Sequence, residues 1–199
     1  MPMKVPIALL VVAILFSATA RSQHEPGPAP EYTNDGQLKL PEQYREWIYL
    51  STGFDMNYSP SAQMSDHHMF DNVFVNPESY KAFLETGTWP DKTILVLELR
   101  GAKGKGSINR RGNFQGTERM GLEAHVKDQK RFEGGWAFFG FDDAKTAKMV
   151  PREAQCYKCH SAHGAVDTTF VQFYPTLLPV AKQKGTLSNS YSKEDGGGI

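Results

Sequence analysis

The chain is poor in cysteine: Cys156 and Cys159 are the only two in 199 residues. Two thiols cannot supply a disulfide framework, nor the two cysteine pairs of a four-thiolate zinc site. An excess of charge of either sign is also missing, since Lys plus Arg and Asp plus Glu number 22 each. A balanced surface carries no electrostatic footprint for nucleic acid or an anionic membrane. Long apolar runs are lacking too, apart from Ile7 to Phe16, which is too short to span a bilayer comfortably. A phosphate-binding loop is absent: in the glycine-rich stretch 101–112, Ser107 follows Gly106 where a Lys-Ser or Lys-Thr pair would be needed. That stretch reads as a solvated hairpin connection, and its basic run from Lys103 to Arg111 could dock an anionic redox partner.

The N-terminus reads as a secretory signal over residues 1–20. Lys4 supplies the positive region, Ile7 to Phe16 the apolar one, and Ala18-Thr19-Ala20 a small-residue cleavage site. No cysteine follows for a lipid anchor, so the expected location is the periplasm, without membrane attachment after cleavage. Residues 21–37, with Pro26, Pro28 and Pro30, read as a flexible leader. Residues 38–184 read as a single domain, and 185–199 as a disordered tail.

The two cysteines stand in Cys156-Tyr157-Lys158-Cys159-His160. Cys-x-x-Cys-His is the attachment sequence of a c-type haem: two thiols add to the vinyl groups and the adjacent imidazole takes the proximal side of the iron. A redox dithiol, a disulfide and a Cys/His metal site including His163 are the alternatives. The dithiol is disfavoured because no βαβ pattern precedes the motif. The metal site is disfavoured because its ligands would crowd into a few residues. The aromatic content of 12 % suits a protein that wraps a flat macrocycle, although many such residues belong to any core.

Between these landmarks the chain reads as mainly β (α+β), an antiparallel sheet of about four or five strands with short helices. A short helix is expected at Pro41–Trp47 and extended chain at 48–54. Strands are expected at His68–Val75, Thr93–Arg100, Gly116–Val126 and Gly135–Phe141. A helix should follow Pro77 and stop at Gly87. Residues 142–153 read as a connector, and 168–182 as helical chain broken by Pro175 and Pro179. The alternation in Thr93–Arg100 puts Ile94, Val96 and Glu98 on one face and Leu95, Leu97 and Leu99 on the other.

Several stretches then resemble, in order, the cytochrome P-460 and cytochrome c′-beta family of periplasmic monohaem proteins. They are Leu40-Pro41-x-x-Tyr44-Arg45-Glu46-Trp47, Val73 through Tyr80, Gly121-Leu122-Glu123-Ala124-x-Val126-Lys127-Asp128, Trp136-Ala137-Phe138, the haem run, and Asp167-x-x-Phe170-x-x-Phe173-Tyr174-Pro175. The resemblance covers about residues 38–182 and implies a β-rich homodimer with one high-spin haem c, His on one side and an open distal side. It also implies one of two activities. Cytochrome P-460 proteins oxidise hydroxylamine with a lysine cross-linked to the porphyrin. Cytochrome c′-beta proteins lack the cross-link and bind nitric oxide and related gases such as carbon monoxide.

Two positions decide between them. The cross-linking lysine would fall at Leu97, with Lys92 the nearby lysine at the mouth of the strand, and the proton-relay carboxylate would fall at Ala162. Both departures favour the gas-binding type, closer to cytochrome c′-beta; a hydroxylamine oxidase and a simple electron carrier with a periplasmic redox partner are the alternatives. The expected site is therefore His160 on the iron, Cys156 and Cys159 on the haem, and Leu97, Phe54 and Phe70 as pocket wall. No catalytic residue is assigned. A sixth ligand, if one exists, would come from Met64, Met69, Met120, Met149, His67 or His68. Arg119 and Glu123 are expected at a polar edge near the haem, and Arg45 and Glu46 on the surface.

Overall fold

The computed structural model of the chain describes residues 28–58 and 67–195. The expected signal at 1–20, the first part of the leader and Met64 lie outside the described residues. No described helix is long and apolar enough to cross a membrane.

The fold is mainly β with short helices. Its centre is a five-stranded antiparallel sheet in sequence order: β2 (Ile48–Phe54), β3 (Met69–Val75), β4 (Ile94–Lys103), β5 (Phe114–Lys127) and β6 (Trp136–Gly140). Two short strands, β1 (Leu38–Lys39) and β7 (Thr146–Ala147), pair beside it. Helices α1 (Pro77–Thr86), α2 (Gln155–His163), α3 (Leu178–Lys184) and α4 (Asn189–Asp195) complete the described elements.

The apolar pattern of β4 explains the layering. Ile94 and Val96 pack with Phe74, Leu122, Val126 and Phe139 on one side of the sheet. Leu95 packs on the other side with Val75, Phe83, Trp89, Trp136 and Leu177. Each face is buried by its own cluster, as a period-two strand between two layers requires. Proline in the first turn opens α1, and Gly87, at φ 75°, ends it with its N–H bonded to the Phe83 carbonyl. A side chain at 87 would also meet Lys184 of α3 at 2.7 Å, so glycine allows that close approach.

Several expectations are corrected. The segment Pro41–Trp47 forms only a 3₁₀ turn at Tyr44–Glu46, because Tyr44 and Trp47 turn inward to the core. Arg45 is exposed as expected, yet its guanidinium also reaches to 2.6 Å from the fully buried Glu98 carboxylate. Pairing extends β4 to Lys103 and starts β5 at Phe114, which shortens the basic connection. The later part of the leader is tied down: Tyr32 bridges to Leu38, and the Arg131 guanidinium lies 3.8 Å over its ring. The stretch expected as a disordered tail carries α4. Ser188 takes a backbone bond from its N–H to the Ala165 carbonyl, its hydroxyl accepts the Tyr191 N–H at 3.1 Å, and Tyr191 is buried. A serine cap and one buried aromatic hold this helix in place within a polar stretch.

Candidate haem-binding site

Helix α2 carries Cys156, Cys159 and His160 at i, i+3 and i+4, so helical geometry sets all three on one face. Both cysteines are unbridged, half-buried thiols, and burial pushes the Cys156 thiol up. His160 lines a cavity of about 360 Å³, whereas neither thiol lines it. The imidazole is fixed on several sides. Its Nδ1 donates to the Thr168 carbonyl at 2.8 Å, Phe170 stacks on it at 4.1 Å, and Phe138 meets it edge-on at 4.6 Å. Burial lowers its pKa, and the bond to Thr168 opposes that shift. A neutral ring with Nδ1 committed to a carbonyl presents Nε2 as a metal-binding lone pair.

The sheet supplies the facing wall in three rows. Val75, Leu95, His125 and Phe138 are successive cross-strand partners; Val73, Leu97 and Glu123 form the next row; Gly53, Asp71 and Leu99 form the third. Apart from Val75, all of these line the cavity. The exposed Phe173 is also in the lining, so the cavity reaches the surface.

Two carboxyl groups make this wall less apolar than Leu97 alone suggests. Asp71 is pushed up to about 6, chiefly by burial and then by the charges of Asp55 and Glu123. Burial likewise raises Glu123. Ala162, where a relay carboxylate was sought, is exposed on α2 outside the cavity lining. Although the relay position is Ala162, Asp71 and Glu123 provide two candidate bases from the sheet side.

Leu97 and His160 come together on one cavity. Phe54 and Phe70 do not join them. They are Cα partners whose rings meet at 4.8 Å, and strand parity turns them to the sheet face opposite Gly53, Asp71 and Val73. Met69 lines the cavity; Met120 and Met149 are exposed elsewhere. His68 is held by Asp55 at 2.5 Å, and neither it nor His67 is in the lining. Glu123 lines the cavity, but Arg119 faces Asp143 at 3.6 Å instead. Lys92 is engaged by Asp128 at 2.6 Å, away from the cavity.

Reading the sequence strand by strand missed Asp71, His125, Met56, Tyr58 and Phe170, all of which line the cavity. Asp71 had a usable signal, since period two puts it on the same face of β3 as Val73. His125 is buried, and burial together with the nearby His160 pushes its pKa well down, so it is neutral. Its ring stacks on Phe138 at 3.9 Å and its Nε2 faces the Thr168 hydroxyl at 3.4 Å, which engages it beside His160.

This donor set fits a haem: paired thiols and an imidazole on one helix face, a lone pair directed at a largely apolar cavity, and aromatic rings beside it. It fits zinc poorly, since no group of three His, Cys, Asp or Glu among the described residues could hold a metal ion. No curated protein matches the chain. A family model, Cytochrome P460, matches residues 41–171, which is more than half of the chain and includes the haem run and the whole five-stranded sheet. The chain belongs to the cytochrome P460 family, and with it comes a haem cofactor.

Proposed function

We propose that this protein is an exported monohaem c-type cytochrome that binds nitric oxide or a related small gas. Cys156 and Cys159 hold the haem, His160 is the proximal ligand, and the iron has no sixth protein ligand. The observation that carries the reading is the run Leu95, Leu97 and Leu99 on the cavity that holds His160, with no lysine among the described residues of its lining. When bound, the haem supplies an iron that accepts a small neutral molecule. Leu97 and its neighbours shape the space for that molecule and exclude water. Burying an uncompensated ion there costs several kcal/mol, a penalty a neutral diatomic does not incur. The Thr168 carbonyl keeps the imidazole in one tautomer, with Nε2 free.

The ferrous absorption spectrum of the mature protein tests this. An ordinary five-coordinate high-spin spectrum that changes on adding nitric oxide or carbon monoxide is expected. A strongly red-shifted Soret band would signal a cross-link and overturn the gas-binding assignment. Sharp low-spin bands would mean a sixth ligand, with Met69 the first candidate because it lines the cavity.

Hydroxylamine oxidation is the second reading, and Asp71 and Glu123 favour it, since two carboxyls that line the cavity could accept the substrate's protons. Steady-state hydroxylamine turnover that falls at least tenfold in both Asp71→Asn and Glu123→Gln would select it. We further propose a homodimer in the periplasm that exchanges electrons with a soluble redox partner. Sedimentation and fractionation of the expressing cells test the first two points.

A further inference from the structure

The loop that follows the haem-binding helix and bonds His160 is tied to the sheet by a buried lysine. We infer that Lys127, acting through Asp167, is a positioning residue that sets how strongly His160 donates to the haem iron. The inference rests on the haem-c reading above. Lys127 closes β5 with its side chain largely buried. Its ammonium donates to the Asp167 carboxylate at 2.8 Å and to the Trp89 carbonyl at 2.7 Å, and it lies 5.5 Å from the Trp136 ring centroid. A lysine is rarely buried this far without partners, and here one of the two is an ion.

Asp167 is not an ordinary loop residue. It adopts a left-handed conformation, φ 53°, which directs the next residue, Thr168, so that its carbonyl accepts from His160 Nδ1 at 2.8 Å. The rest of the loop is fixed as well. Gly164 has no room for a side chain, because a Cβ there would lie 2.9 Å from the Thr169 nitrogen. The Thr169 hydroxyl donates to the Val166 carbonyl at 2.7 Å and accepts from the Trp89 indole at 2.8 Å. Trp89 therefore touches both ends of the arrangement: its carbonyl takes Lys127 and its indole takes Thr169. The ion pair at Asp167 and the indole bond at Thr169 hold the two residues on either side of the carbonyl that matters.

The chemistry follows from that bond. A carbonyl pulling on Nδ1–H gives the ring imidazolate character, which makes Nε2 a stronger donor and favours the ferric state. Releasing Asp167 lets the Thr168 carbonyl drift and weakens that donation. Lys127→Met, Asp167→Asn and Lys127→Arg should be compared with the parent as mature, haem-loaded full chains. We expect Lys127→Met and Asp167→Asn to raise the reduction potential and lower the iron–histidine stretching frequency of the ferrous protein. Lys127→Arg, which keeps the cation, should stay near the parent. Asp167 is exposed, so Asp167→Asn carries the test if Lys127→Met does not fold. Haem-loaded variants that lose thermal stability yet keep both the potential and the stretching frequency would overturn the inference. A parent protein that never acquires haem would instead sink the functional reading.

Discussion

Leu97 and Glu123 are direct cross-strand partners on β4 and β5, and both line the cavity that holds His160. A hydrocarbon and an acid thus stand side by side on the cavity wall. Leu97→Lys should place an amine next to a ready counter-ion. We expect a strongly red-shifted ferrous Soret band in this variant at a stability cost of about 1–2 kcal/mol. An unshifted spectrum in a folded, haem-loaded variant would place residue 97 away from the porphyrin.

Asp71 gives a pH dependence with a definite sign. Its ordinary value is 3.8 and the fold raises it to about 6, so ionisation opposes folding. The stability present below pH 3.8 is lost as pH rises through 6, because the folded state binds the proton more tightly. Asp71→Asn should therefore stabilise the protein at pH 8 by on the order of 1 kcal/mol, reduced by solvent screening of a half-buried group, and have little effect near pH 3.5. Urea midpoints at the two pH values check this.

Glu98 shows the opposite sign. It is fully buried between Arg45, Arg100 and Tyr44 on the sheet face that turns away from the cavity. Burial opposes its charge, but the hydrogen bonds from Arg100, Arg45 and Tyr44 outweigh burial and hold it at about 2. Its contribution is present above the ordinary value of 4.5 and lost as pH falls towards 2. Glu98→Ala should cost about 3–5 kcal/mol at pH 7 by leaving Arg100 without its counter-ion, and the difference should shrink in acid. Acid-unfolding curves of the two proteins measure it.

Removing the imidazole is the direct test of the proximal role proposed for His160. His160→Ala keeps Cys156 and Cys159 but leaves the Thr168 carbonyl without its donor. The expected result is loss of the parent spectrum and at least a tenfold weaker affinity for carbon monoxide. Unchanged affinity in haem-loaded protein would remove His160 from the site.

The C-terminal helix carries a stability prediction. Tyr191 is buried in the cluster with Leu177, Ala181 and Val166. Tyr191→Ala should cost on the order of 2–3 kcal/mol, read as a lower denaturation midpoint. No change would mean that α4 does not dock in solution.

These residues also mark what the sequence made legible. The alternation of β4 was plain because both its faces are buried, so Leu97 and Glu98 could be sent to opposite sides without coordinates. The haem run was legible because three donors sit within a single helical stretch. The remaining wall was not, because Asp71, Leu99, Glu123 and His125 become neighbours only through the register of three strands. Phe54 and Phe70 were chosen for their aromatic character, yet parity assigns their face to the far side and gives the cavity face to Asp71. Arg45 is on the surface as read, but its partner was not legible, because a short turn does not reveal a buried carboxylate 53 positions away. The helix at Asn189–Asp195 was missed because a polar stretch with one tyrosine carries too weak a periodic signal.

The register of β4 against its neighbours has a consequence for how this protein can change. Its irregularities fall beyond Leu99, so the stretch from Ile94 to Leu99 pairs without interruption. A single inserted or deleted residue there would turn Glu98 to the cavity and send a leucine among the guanidinium groups. Both compartments would fail together. Variation in this strand should therefore come as substitutions or as paired insertions, and lineages that alter ligand preference should do so at residue 97 without shifting the strand.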